Sequence, residues 1–224
     1  MKAMLLAAGR GERLRPLTDR TPKALVAVGG KPLIAWHLER LAASGCREAV
    51  INVSHLAQQI VDHVGDGRRF GLRIAYSREA EPLETAGGIA QALPLLGAAP
   101  FLLVNADIYC EADFRPLLAC PLAALLAHLL LVPNPPHRAS GDFSLRAHRV
   151  GNEGEPRYTY AGVAVMSPQL VQTVRRGERV PLAPLLRSAA DEQRISGEVF
   201  GGLWQDVGTV ERLAELETQL ASRK

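Results

Sequence analysis

Short apolar runs alternate with segments of helical spacing through the first half of the chain, and this alternation restricts the fold more than any other feature. Residues 3–8 form a short apolar run stopped by Gly9, which reads as a buried strand. A polar loop follows to about Pro22. Pro32 then sits in the first turn of a helix, where its missing N–H costs nothing. Leu33, Ile34, Trp36, Leu38, Leu41 and Ala42 supply the apolar face of that helix and Gly45 ends it. Residues 48–53 read as a second strand, and 56–64 carry Leu56, Ile60 and Val64 at helical spacing. Residues 72–76 read as a third strand, 86–96 as a helix, and 101–104 as a fourth, apolar strand running into Asn105 and Asp107. Such alternation implies an α/β fold, a mostly parallel mixed sheet with helices on both faces. In these sheets ligands bind at the carboxyl ends of the strands, so the loops after strands one and four should face a site.

The second half reads differently. Residues 122–132 form a long apolar strand, a Pro-rich loop follows, and 142–150 and 157–166 are further strands around a polar turn. Helices are expected near 168–174 and 181–190, a last strand near 198–203, and a helix from Thr209 onward. With no repeat or linker, residues 1–224 read as one domain, long enough to bury a core without metal or disulfide staples. Cys46, Cys110 and Cys120 show neither paired spacing nor an even count, so they read as ordinary thiols. The N-terminal apolar run is shorter than the roughly 7–15 residues of a signal peptide, and no run reaches the roughly 18 needed to span a bilayer. A cytoplasmic protein with no membrane partner is expected. The net charge of +3, from 26 basic and 23 acidic residues, is too balanced to indicate nucleic acid, and aromatics at 5% leave no basic stripe interleaved with rings.

The segment after the first strand carries the chemistry. Gly9 and Gly11 allow close backbone approach to a phosphate chain, Arg13 offers a bidentate fork, and Lys23 is a compact cation suited to charge building on a transferring phosphate. On spacing alone the segment reads equally as a surface turn with solvated arginines. It is not a Walker loop, which needs GxxxxGK, nor a dinucleotide fingerprint, because Leu14 occupies the third glycine position.

Over its whole length, however, residues 9–32 follow the pattern GxGxRLxPLTxxxPKxLxxVxxKP without a gap, and so resemble the opening of the sugar-phosphate nucleotidyltransferase family. The resemblance implies a Rossmann-like α/β fold and Mg²⁺-dependent transfer of a nucleoside monophosphate to a sugar 1-phosphate. It implies that Arg13 holds the β- and γ-phosphates, that Lys23 holds the α-phosphate, and that Leu6, Ala8 and Gly9 lie against the nucleoside. Read alone, Asp107 and Asp206 are as readily turn formers or helix caps as metal ligands. The family carries an aspartate after the fourth strand and a W-x-D-V-G-T-like segment near its end, here Trp204 to Thr209, which implies Mg²⁺ ligation by both. Alanine stands before Asp107 where the family usually has glycine. Asn105 becomes a candidate sugar or metal-water contact.

Selection of base and sugar is read from three segments. Thr85 is a plausible N-cap, and Gly87 and Gly88 are costly near a helix start unless a base approaches the backbone there, as in a similar family segment. Asn52 and His55, ending the second strand, could also reach the nucleoside. Asn134-Pro135-Pro136-His137, Gly141-Asp142-Phe143-Ser144-Leu145 and the stretch from Tyr158 to Val163 resemble one branch of the family, the short single-domain uridylyltransferases that act on N-acetylmuramic acid 1-phosphate. That likeness implies UTP as donor and places Gly141, Tyr160 and Gly162 near the sugar. The rivals are a GTP-using mannose- or heptose-1-phosphate guanylyltransferase and a non-catalytic nucleotide-binding module. A monomer is the default expectation.

Overall fold

The computed structural model describes residues 1–223. In chain order the elements are β1 (Lys2–Leu6), β2 (Ala27–Val28), β3 (Lys31–Pro32), α1 (Leu33–Ala43), β4 (Glu48–Val53), α2 (Ala57–Val64), β5 (Arg73–Arg78), α3 (Glu84–Leu96), β6 (Phe101–Asn105), β7 (Ile108–Cys110) and α4 (Arg115–Leu118). They continue with β8 (Ala127–Val132), β9 (Phe143–Arg146), β10 (Arg149–Gly151), β11 (Arg157–Met166), α5 (Leu182–Asp191), β12 (Ile195–Val199), β13 (Trp204–Asp206) and α6 (Val210–Ala221). Nine strands form the main sheet in the order β5-β4-β1-β6-β11-β8-β12-β10-β9, and β7–β13 and β2–β3 are separate two-stranded ribbons.

In the first half β5, β4, β1 and β6 all run one way, and in the second half β12 lies parallel to β8. β11 then runs antiparallel to both β6 and β8, so the sheet is mixed. The inner strands β1, β4 and β6 are apolar on both faces because each face is covered, whereas edge strand β5 carries exposed Arg73 and Arg78. Ala3 and Leu5 of β1, with Leu102 and Val104 of β6, meet Ile34, Leu38 and Leu41 of α1 and Ile60 and Val64 of α2. Met4, Phe101 and Leu103 point the other way, toward Ile89, Ala92 and Leu96 of α3 and Leu182 and Leu186 of α5. A third cluster joins Leu14, Val28, Leu33, Tyr109 and Val207 to Leu216 of α6, and so packs the last helix against the loop after β1. Among the described residues no helix is long and apolar enough to cross a membrane.

Several local expectations shift. The strand expected over 142–150 is the hairpin β9–β10, reversed at Ala147 and His148, whose φ of 45° and 62° give the two-residue turn without the usual Asn or Gly. The apolar run 122–132 starts as a turn, with Leu125 N–H donating to Leu122 O, and becomes strand only at Ala127. The last expected strand divides into β12 and β13 on either side of Gly201 and Gly202. Residues 168–171 form a 3₁₀ turn, not an α-helix. Pro32 precedes α1 as its N-cap while pairing with Ala27 in the small ribbon.

Candidate active site

β1, β4 and β6 end level with one another: Leu6 pairs with Asn52 on one side and Asn105 on the other. Over that edge lies a cleft of about 970 Å³, roofed by the loop that leaves β1. Buried Asn52 starts the loop on its course, its Oδ1 accepting the Ala7 N–H at 2.8 Å. The Thr18 hydroxyl donates to Gly11 O at 2.8 Å and folds the loop back on itself. Gly11 has φ 66°, and a Cβ there would lie 2.9 Å from Thr18 Cγ2 and 3.1 Å from Lys23 Cβ, so this turn admits only glycine. The N–H groups of Ala8, Gly9 and Arg10 find no protein acceptor among the described residues and line the cleft, ready for an anionic ligand. Leu14, fully buried in the third cluster, anchors the short 3₁₀ turn that carries Arg13 into the cleft.

Lys23 sits on another 3₁₀ turn whose Ala24 is buried in the main core. Its Nζ lies 2.6 Å from Asp107 Oδ2, with the lysine side chain 11% exposed and the aspartate 42%. Asp107 stands in the tight connection between β6 and β7. β13 pairs antiparallel with β7, placing Asp206 opposite Ile108, and Val207 N–H donates to Asp107 O at 2.9 Å. The β7–β13 pairing therefore brings Asp206 beside Asp107, and both line the smaller pocket that adjoins the cleft. Asp206 Oδ1 is held by the Arg212 guanidinium and lies 3.5 Å from His137 Nε2. Among the described residues no third His, Cys, Asp or Glu joins them in a closed cluster. That donor set is two hard oxygen ligands with room beside them, which suits a cation such as Mg²⁺ that completes its shell from substrate phosphates and water.

A second pocket of about 340 Å³ opens off the first and shares Arg13, Lys23, Asn105 and Asp107 with it. Gly162 lies at the bulge where β11 shifts register against β8, with φ 76°. A Cβ there would sit 2.8 Å from Asn105 Nδ2, so Gly162 makes room for Asn105. The Tyr160 hydroxyl is buried without a partner among the described residues, and burial pushes its ionisation well above the ordinary phenol range.

Leu6, Ala8, Gly9, Gly11, Arg13, Lys23, Asn52, Thr85, Asn105 and Asp107 all line the main cleft, and Tyr160, Gly162 and Asp206 line the smaller pocket. Four expectations change. Gly87 does not line the cleft: a Cβ on it would meet Glu178 O at 2.2 Å, so its missing side chain admits the chain's own backbone rather than a base. Thr85 does not cap α3, which starts at Glu84; Ala86 and Gly87 N–H donate instead to Val180 O at 3.0 and 3.1 Å. His55 lies outside the cleft lining, its Nε2 3.4 Å from Thr18 O, where it braces the loop. Gly141 forms a turn at φ 62° packed against the Asn134 side chain, and its neighbour Asp142 lines the pocket in its place.

Glu79 is a cleft residue that the sequence reading misses. It is 6% exposed, accepts from Asn52 Nδ2 at 2.7 Å and from Leu83 N–H at 3.0 Å, and burial raises its carboxyl above the usual range against the pull of both hydrogen bonds. No local pattern marks it. Its partner Asn52 and the close approach of Gly88, whose Cβ would lie 2.8 Å from Glu79 Oε1, are visible only in three dimensions. His137 and Arg212, which meet at Asp206, are likewise missed as a group; His137 at least lies in a motif quoted above.

A loop with free backbone N–H groups and two carboxylates near the end of a parallel half-sheet fits the nucleotidyltransferase class. Residues 2–139, more than half of the chain, match the family described as Nucleotidyl transferase, and the chain belongs to it. More particularly, it is 52% identical to the N-acetylmuramate alpha-1-phosphate uridylyltransferase of Neisseria meningitidis, over 97% of each chain. It is 36% identical to the protein of that same name in Caulobacter vibrioides, over 98% of this chain and 96% of the relative. A solved structure of UDP-glucose pyrophosphorylase with UDP-glucose superposes with a TM-score of 0.80 over 100% of this chain and 99% of the other, at 17% identity, which shows the shared fold.

Proposed function

We propose that this enzyme transfers UMP from UTP to N-acetylmuramic acid 1-phosphate, giving UDP-N-acetylmuramic acid and pyrophosphate. The observation that carries the chemistry is the convergence of Lys23, Asp107 and Asp206 beneath a loop with free backbone N–H groups. The full-length likeness to the two uridylyltransferases supports the choice of base and sugar.

The acceptor phosphate oxygen is already an anion and needs no general base. It attacks the α-phosphorus, a new P–O bond forms, the bond from the α-phosphorus to the bridging oxygen breaks, and pyrophosphate leaves with that electron pair. No proton moves. The barrier is the approach of one anion to another. Arg13 and the N–H groups of Ala8 to Arg10 hold the leaving phosphates, and Lys23 leans on the α-phosphate as charge grows there. To do so Lys23 exchanges Asp107 for phosphate, freeing that carboxylate. Asp107 and Asp206 would hold Mg²⁺, which supplies charge neutralisation between the two phosphates. Leu6, Ala8, Gly9 and Asn52 bound the nucleoside end, and Asn105, Tyr160 and Gly162 the sugar end.

The test is pyrophosphate release with Mg²⁺, crossing four NTPs with a panel of sugar 1-phosphates. Release with UTP and N-acetylmuramic acid 1-phosphate above all other pairs is expected. Preference for GTP with a mannose or heptose phosphate would overturn the substrate. Tight UTP binding with no release for any pair would overturn the activity.

A further inference from the structure

The smaller pocket has a polarity that a neutral sugar would leave unused. Besides Asp107, Asp206 and Lys23, its lining carries a second charged group of Arg138, Asp142 and Arg187. Asp142 is committed: its Oδ2 accepts the Tyr160 N–H at 2.9 Å and lies 3.4 Å from Arg138 NH1. Arg187 is not. It pairs with no carboxylate among the described residues, and its NH1 stands 3.5 Å from both Asp142 O and Asn152 Oδ1, at the limit of a hydrogen bond. Its guanidinium rests on the Phe143 ring, 5.3 Å from the centroid, which steadies the group and leaves its outer N–H donors free. Leu182 and Ala183, from the first turn of α5, line the same pocket and turn the positive end of that helix toward it.

We infer that Arg187 is the specificity residue for a carboxylate carried on the sugar ring. The inference rests on the substrate reading above. A sugar 1-phosphate must set its phosphate beside Lys23 and the two aspartates, so the remainder of the ring extends toward Arg187. N-acetylmuramic acid is N-acetylglucosamine with a lactic acid ether on O3, and that lactyl group carries the one carboxylate that distinguishes their ring substituents. A planar guanidinium matches that group in a two-point contact. With Arg138 already neutralising Asp142, the incoming carboxylate meets one uncommitted cation and no uncommitted anion.

The experiment compares wild type, Arg187→Met and Arg187→Lys in pyrophosphate release with UTP and Mg²⁺. N-acetylmuramic acid 1-phosphate is the substrate, and N-acetylglucosamine 1-phosphate is the comparison, read as turnover or as competitive inhibition. Methionine keeps a long unbranched side chain and removes the charge. The ratio of the two specificities should fall about 10- to 100-fold in Arg187→Met, chiefly through KM, as expected for one charged hydrogen-bonded contact, and recover in part in Arg187→Lys. An unchanged ratio, whether from no loss or from equal loss with both compounds, would overturn the subsite alone. A wild type that does not prefer N-acetylmuramic acid 1-phosphate would overturn the substrate reading before any variant is compared, and the subsite with it.

Discussion

His37 makes acid stability a direct test of how α1 holds the strand beside Asp107. The imidazole is 0% exposed, and its Nε2 lies 2.7 Å from Ile108 O, so Nε2 carries the hydrogen and donates. Nδ1 is buried with no partner among the described residues, so protonating it would create both a buried charge and an N–H with no acceptor. Burial accordingly lowers the histidine from 6.5 to about 4. Because the folded value lies below the unfolded one, the stabilisation is complete above pH 6.5 and is lost as pH falls toward 4, as the unfolded chain takes up a proton that the native protein refuses. Each pH unit inside that window costs about 1.4 kcal/mol, so about 2 kcal/mol should disappear between pH 7 and pH 5, and about 3 kcal/mol over the whole window. The assay is urea unfolding of wild type and His37→Gln at half-unit pH steps. Glutamine retains an N–H for Ile108 and does not titrate, so the other groups cancel in the difference. Glutamine should be the less stable protein at pH 7, and the gap should close by about 2 kcal/mol at pH 5. Parallel pH curves for the two proteins would refute the reasoning.

Three substitutions probe the cleft. Lys23→Ala should lower kcat by about 100- to 1000-fold while the melting temperature moves little, since its partner Asp107 is 42% exposed and can be solvated; a near-normal kcat would remove Lys23 from the reaction. Asp206→Asn keeps the volume and removes a carboxylate, and should shift the Mg²⁺ titration of activity to higher concentration; an identical titration would exclude the ligand role. Gly162→Ala puts a Cβ 2.8 Å from Asn105 Nδ2 at a φ of 76°, and should cost about 1–2 kcal/mol and raise the KM for the sugar phosphate by displacing Asn105. Unaltered melting and KM would show that the bulge can relax.

Local pattern was enough wherever the relevant physics is local. The two-faced apolar runs of β1, β4 and β6 appear as strands because each must be covered on both sides, and their placement follows from the helices between them. The glycine–arginine loop was legible only through its full-length resemblance over residues 9–32, since its spacing alone reads equally as a surface turn. The reading failed where one pattern has two physical causes. Gly87 promised close approach, and close approach is what it provides, but to the carbonyl of Glu178. Ala147 and His148 carry no turn signature because the register of β9 with β10 imposes their positive φ.

The sequence by itself determined the α/β class, the chain order of the main parallel strands with their intervening helices, and the family to which the loop after β1 belongs. Only the tertiary structure decided what that loop faces. Lys23 meets Asp107 across 84 residues, and Asp206 reaches the pocket beside them because β13 pairs with β7. Glu79 becomes a buried cleft carboxyl through Asn52, and Arg187 an uncommitted cation through Phe143 and the committed Asp142. Such groupings leave no local signature, because side-chain period and turn chemistry act over a few residues, whereas the packing of two apolar faces chooses which distant ends meet.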